Sequence, residues 1–152
     1  MPIFRLADDE RDAMAQTLVS RLDAPASPAY VEVYAGAIPA SVATAIGAQT
    51  KLGTCTMGAD PSATSSAGLI TFAPINQENA AVSGGTASFM RVFKGDGTAW
   101  ADADVGDLAS NATAKMNTTT VVAGGPIRIN GFTILIGRPW LGTLISPMSY
   151  CC

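Results

Sequence analysis

Proton transfer near neutral pH and zinc binding both draw first on histidine, and this chain of 152 residues has none. A serine nucleophile would then need lysine as its base. Lys51, Lys94 and Lys115 are the lysines available, and none stands in a Ser-x-x-Lys spacing. Twelve Asp and Glu could in principle supply a carboxylate pair for glycosidic cleavage, but nothing in their spacing pairs them across space. The run Asp102-Ala103-Asp104-Val105-Gly106-Asp107 has alternate carboxylates like half a calcium loop. A valine stands where a third oxygen ligand belongs and no closing glutamate follows, so a solvated acidic loop is expected, with no metal and no cofactor. Gly95-Asp96-Gly97 lacks the further glycine and the following helix of a dinucleotide loop and reads as a tight turn. These observations together predict a protein that is not an enzyme.

The remaining reactive groups are the thiols. Cys55 lies in a Thr-rich stretch, and Cys151 and Cys152 are adjacent. Neighbouring cysteines bridge each other poorly, and the spacing fits no zinc site, so all three are candidates for disulfides between chains. Thiols kept reduced in a cytoplasm are the alternative. The pair follows an apolar segment, Gly137–Cys152, in which Trp140, Leu141, Leu144, Ile145, Met148 and Tyr150 occur with no charge after Arg138. Such a segment left in water is an aggregation hazard, and Pro139, Gly142 and Pro147 keep it from being a long helix or a regular strand. It either folds back over its own domain or lies as an extended arm on an adjacent subunit, and the arm reading is favoured, with those six residues as the interface.

The elements that position these groups follow from periodicity. Asp8 to Leu22 reads as the one convincing helix, with Met14, Leu18 and Leu22 on its apolar row, acids in its first turns and Arg21 in its last. Beyond the linker Ala24–Pro28, short strands alternate with turn residues. Tyr30–Tyr34 places Val31 and Val33 on one face and Tyr30, Glu32 and Tyr34 on the other. Lys51–Met57 and Leu69–Phe72 are further strands, with Gly36–Ala48 a loop and residues 58–62 a turn. Ala87–Phe93 and Thr98–Asp102 flank the turn Lys94–Gly97 as a hairpin, and Phe89, Phe93 and Trp100 are expected at the centre of the core. Thr118–Val122 and Ile127–Ile136 complete the set, the last ending in an apolar run expected to be buried on both faces.

One helix followed by seven or eight short strands predicts a mainly β fold, an antiparallel β-sandwich of which the jelly roll is one form, with a short N-terminal α-helix and an extended C-terminal arm. The expected divisions are 1–28 for the helix and linker, 29–136 for the sandwich and 137–152 for the arm. Charged residues make up only 14% of the chain and the net charge is −3, which argues against nucleic acid and acidic membranes as partners. No apolar run is long enough to span a membrane, and residues 1–10 do not read as an export signal. The sequons at Asn111 and Asn117 are expected to be chance products of a Thr-rich chain.

Several segments, in order, carry a family resemblance. They are the Arg11-Asp12-Ala13-Met14 helix, Val31–Gly36 followed by a Pro-containing loop, the Gly85–Val92 strand, the Gly95-Asp96-Gly97 turn and the Ile127-Arg128-Ile129 strand. Over residues 5–136 the chain resembles small virion proteins of tailed bacteriophages and prophages, some of which look like capsid decoration or cement proteins. The resemblance implies a protein on the outer capsid lattice that braces major capsid subunits against internal DNA pressure. It would assemble in the host bacterial cytoplasm, with the major capsid protein and copies of itself as partners. Residues 137–152 extend beyond the family pattern. The competing expectations are a tail, neck or head-fibre component, and a carbohydrate-binding sandwich for host attachment using Tyr30, Tyr34 or Trp100.

Overall fold

β-Branched and aromatic residues alternating with polar ones, punctuated by Gly and Pro, drive most of this chain into strands. The computed structural model describes residues 5–58 and 64–136. A helix, α1 (Asp8–Asp23), precedes ten strands: β1 (Tyr30–Ala35), β2 (Thr50–Thr56), β3 (Thr64–Ser66), β4 (Leu69–Thr71), β5 (Gly85–Thr86), β6 (Phe89–Phe93), β7 (Ala99–Asp107), β8 (Ala114–Met116), β9 (Thr120–Val121) and β10 (Ile129–Leu135). Eight form one sheet in the order β2-β1-β6-β7-β8-β10-β4-β3, and β5 and β9 form a separate pair. The mainly β, antiparallel-dominated architecture with one N-terminal helix is therefore as expected. β7 and β8 are the one parallel pair among these strands.

The long β7 joins the two halves of the sheet. Residues 99–104 pair with β6 and residues 105–107 with β8. Segment 76–82 bridges β2 to the chain just before β10. On one side Asn76 and Val82 donate backbone hydrogen bonds to Thr56 and Leu52 of β2 (2.9 and 2.8 Å). On the other, Glu78 and Ile127 exchange a pair of 2.8–3.0 Å bonds, and Gly124 donates to Ala81. This link covers the edge of β2, which would otherwise present a row of unpaired backbone groups.

One core fills the interior, built from Val31, Val33, Leu52, Ile70, Met90, Val92, Met116, Ile127 and Phe132. The helix shares it through Ala15, Val19 and Leu22. The expected apolar row is thus displaced: Met14 is exposed, and small Ala15 lets the helix lie close to the sheet. The aromatic centre also differs. Phe89 and Phe93 sit on the outer face of β6, stacked on Tyr34 and Tyr30 of β1 at 5.2 and 5.0 Å. Trp100 instead meets Phe72 edge-on, and Phe72 stacks on Phe132 at 4.4 Å. β10 is central by pairing but open on one face, since Thr133 and Leu135 are exposed.

The two ends of the sheet differ. At the helix end, where β1 begins and β10 finishes, Asp12 accepts the Gly68 N–H at 2.8 Å and Ile136 donates to the Gly68 carbonyl. Gly95 of the hairpin turn lies so close to Ser27 that an added Cβ would fall 1.8 Å from the Ser27 carbonyl oxygen. The two-residue turn Ala67-Gly68 joins β3 to β4 with φ of 53° and 80°. Two positive φ values are the signature of a type I′ turn, and alanine there costs about 1 kcal/mol relative to Asn or Gly. Ala67→Asn is expected to raise Tm by roughly 2–4 °C in thermal unfolding, and no rise would mean the turn is not held in this form.

Candidate functional site

The acidic run is part of β7 rather than a loop, and each carboxylate has an internal partner. Asp102 Oδ1 and Oδ2 accept hydrogen bonds from Arg91 Nε and Nη2 at 2.6 and 2.7 Å. Asp104 Oδ1 accepts the Thr113 N–H at 2.9 Å. Burial alone would raise the Asp104 pKa, but the Thr113 bonds outweigh it and hold the carboxyl below its ordinary value. Asp107 Oδ1 accepts the N–H groups of Ala109 and Ser110 at 3.1 and 2.8 Å. Among the described residues no three His, Cys, Asp or Glu converge as a metal site. Lys51 is ion-paired with Glu32, and Lys115 donates to the Ser110 carbonyl. A hollow of about 120 Å³ between residues 71–75 and 129–133 is lined by Phe72, Pro74, Ile75, Ile129 and Phe132 among others. It carries no titratable group and falls short of the several hundred Å³ usual for small-molecule sites.

Loop 36–49 is tied down by side-chain hydrogen bonds. Arg91 is 3% exposed although it faces outward from β6, because residues 36–49 lie over it. Its bidentate pair with Asp102 leaves Nη1 to donate to the Thr44 carbonyl at 2.8 Å and Nη2 to reach that of Ser41 at 3.4 Å. Gln49 Nε2 donates to the Ala37 carbonyl and Ser88 Oγ to that of Gly36. Beneath the loop the Tyr34 hydroxyl donates to Glu32, and burial together with that bond pushes its pKa far above the ordinary phenol value. Loops this long without regular structure are uncommon in compact domains unless they carry function. Here the guanidinium of a buried ion pair serves as donor to two of the loop's carbonyls, those of Thr44 and Ser41.

The loop is one part of a larger surface at the end of the sheet remote from α1. Ala35 and Gly85 lie side by side there, with an added Gly85 Cβ 3.4 Å from Ala35 Cβ. β5 pairs with β9, and Gly84 packs against residues 121–123. Loop 36–49, residues 79–86 and residues 117–125 therefore form one loop end. Residues 36–50, 79–90 and 116–127 contain no charged side chain at all. Ile38, Val82 and Val122 are 49%, 66% and 70% exposed on it. Uncharged segments carrying uncovered aliphatic side chains are suited to docking.

The residues singled out earlier fall as follows. Cys55 is 1% exposed in β2, its thiol 3.8 Å from the Ile127 carbonyl, and burial raises its pKa. It is therefore corrected from an interchain disulfide candidate to a core residue, since a crosslink would require the β2 edge to open. Because the folded-state pKa lies above the unfolded one, its contribution to stability is present below the ordinary thiol range and lost as pH rises through and beyond it. Cys55 is expected to resist a disulfide reagent at pH 8 in the native chain and to react in urea; rapid native reaction would contradict this burial. Trp140, Leu141, Leu144, Ile145, Met148, Tyr150, Cys151 and Cys152 lie outside the described residues. Tyr34 is buried against Phe89 and offers no ring face to a sugar, while Tyr30 is half-buried on Phe93 and Trp100 half-buried beside Phe72. Comparison of the chain with protein-family models, with curated proteins and with solved structures gave no match.

Proposed function

We propose that the chain is a virion structural protein of a tailed bacteriophage, a decoration or cement protein that binds the outer capsid lattice and stabilises the shell. The observation that supports this reading is the loop end, where uncharged segments beside the buried Arg91–Asp102 pair expose Ile38, Val82 and Val122, a surface suited to adhesion between neighbouring subunits of a lattice. The β7 carboxylates and the Cys55 thiol are turned onto internal partners while aliphatic groups face out, a pattern suited to adhesion.

The mechanism is linkage. A protein that binds only the assembled shell stabilises it by its binding free energy, repeated at every copy. At about 25 cal/mol per Å², several hundred Å² of apolar burial contributes a few kcal/mol per copy before ordering costs. Residues 137–152 add contacts to neighbours, and Cys151 and Cys152 link chains once the particle meets oxidising conditions. Non-reducing gels of particles are expected to show a DTT-sensitive ladder; a single monomer band would reject the crosslinks. The functional assay is co-sedimentation with expanded empty heads, with isolated tails and with immobilised glycans. Binding to heads supports the proposal, and binding confined to tails or to sugars rejects it.

A further inference from the structure

We infer that the loop end of one copy is the seat for residues 139–152 of a second copy, so that chains associate head to tail. This rests on reading residues 137–152 as an arm covered by a neighbour, and it names both the neighbour and the place. Charge favours this seat. Residues 139–152 contain no Lys, Arg, Asp or Glu, and neither do the three segments that build the loop end. An apolar arm laid across a charged surface would strip water from charges without replacing it. At the loop end it covers Ile38, Val82 and Val122 at no such cost.

Chain length favours a neighbour. β10 runs from the loop end to the helix end, and Ile136 is hydrogen-bonded to Gly68 there, beside α1. The seven-residue β10 is about 20 Å long. The four residues from Ile136 to Trp140 cover at most about 14 Å when fully extended. Trp140 and Leu141 therefore cannot return to their own loop end, whereas residues from about 143 onward can; a second copy stacked on the helix end brings its loop end to the whole segment. A seat within reach in the same chain is the exposed Leu69–Leu135 pair on β4 and β10, and that is the competing occupancy.

Arm and seat are different surfaces, so the contact is heterologous and propagates as a ring or a row. Such a row bridges adjacent copies on a lattice.

The test is sedimentation velocity under reducing conditions on the full chain, on Val82→Lys/Val122→Lys, and on a chain ending at Ile136. The core described above lies within residues 15–136, so the shortened chain keeps it. The full chain is expected to associate and both variants to be monomeric. An equimolar mixture of the two is expected to form a 1:1 dimer and nothing larger, because one supplies only an arm and the other only a seat. The lysine pair should weaken association at least tenfold with Tm unchanged; if it lowers Tm, Ile38→Lys takes its place. Association undiminished by lysine at all three positions overturns the seat, and a mixture that stays monomeric overturns the head-to-tail contact. A full chain that is monomeric at every concentration overturns the inference in favour of an arm folded on its own chain. Head binding is measured separately, so a failed seat and a failed shell reading are told apart.

Discussion

Replacing Asp102 by alanine is expected to destabilise the fold by about 3–5 kcal/mol, the usual cost of leaving the other half of a buried ion pair uncompensated. The Arg91 and Asp102 side chains are only 4% and 7% exposed, so water does not take over the carboxylate's place. For a chain of this size the loss corresponds to a fall in Tm of roughly 10 °C. Arg91→Met combined with Asp102→Leu should recover most of that stability, since an apolar pair of similar volume needs no desolvation. It should not recover the loop. Without the guanidinium the Thr44 and Ser41 carbonyls lose their donor, and residues 36–49 are expected to become the first site of limited proteolysis. A double variant that is stable and equally resistant to protease would show that the ion pair does not hold the loop.

The second large effect is expected at Phe132. It is 2% exposed, stacks on Phe72 at 4.4 Å and 14°, and stands on the strand that β8 and β4 flank. Phe132→Ala should cost about 3–5 kcal/mol in urea unfolding, through lost transfer energy and the cavity left behind. Phe132→Leu should cost nearer 1 kcal/mol. Thr133→Ala, one residue along and pointing to water, should stay within about 0.5 kcal/mol. A small effect of Phe132→Ala would mean that the β3-β4-β10 side of the sheet is not anchored in the common core.

Much of this architecture can be read from residue order. Val31 and Val33 alternate with Tyr30, Glu32 and Tyr34, and the structure places the two sets on opposite faces of β1 as alternation requires. The Lys94–Gly97 turn and its flanking strands are equally legible, because a tight turn sets the register of its hairpin. That register brings Arg91 opposite Asp102 and was the available signal for the buried pair. The expectation of an aromatic core centre passed over Arg91, which shares the face of Phe89 and Phe93 and marks it as the outer one.

Other features depend on tertiary context. Met14-Leu18-Leu22 is the larger apolar row of the helix, yet Ala15, Val19 and Leu22 are buried because close approach favours the small residue. β8 has three residues and no periodicity of its own; it exists because β7 extends past β6 and offers an edge. The loop end is legible only in part. Its three uncharged runs stand in the sequence, but their convergence depends on β5 pairing with β9 and on the 76–82 link. Cys55 likewise reads as a free thiol until that link covers β2.

The central claim is that adhesion by this chain strengthens a capsid. The direct measurement is calorimetry of expanded empty heads, alone, with the full chain, and with the chain ending at Ile136. The account predicts that the shell transition moves up by several degrees with the full chain and clearly less with the shortened one. An unmoved shell transition, or an equal shift with and without residues 137–152, would contradict it.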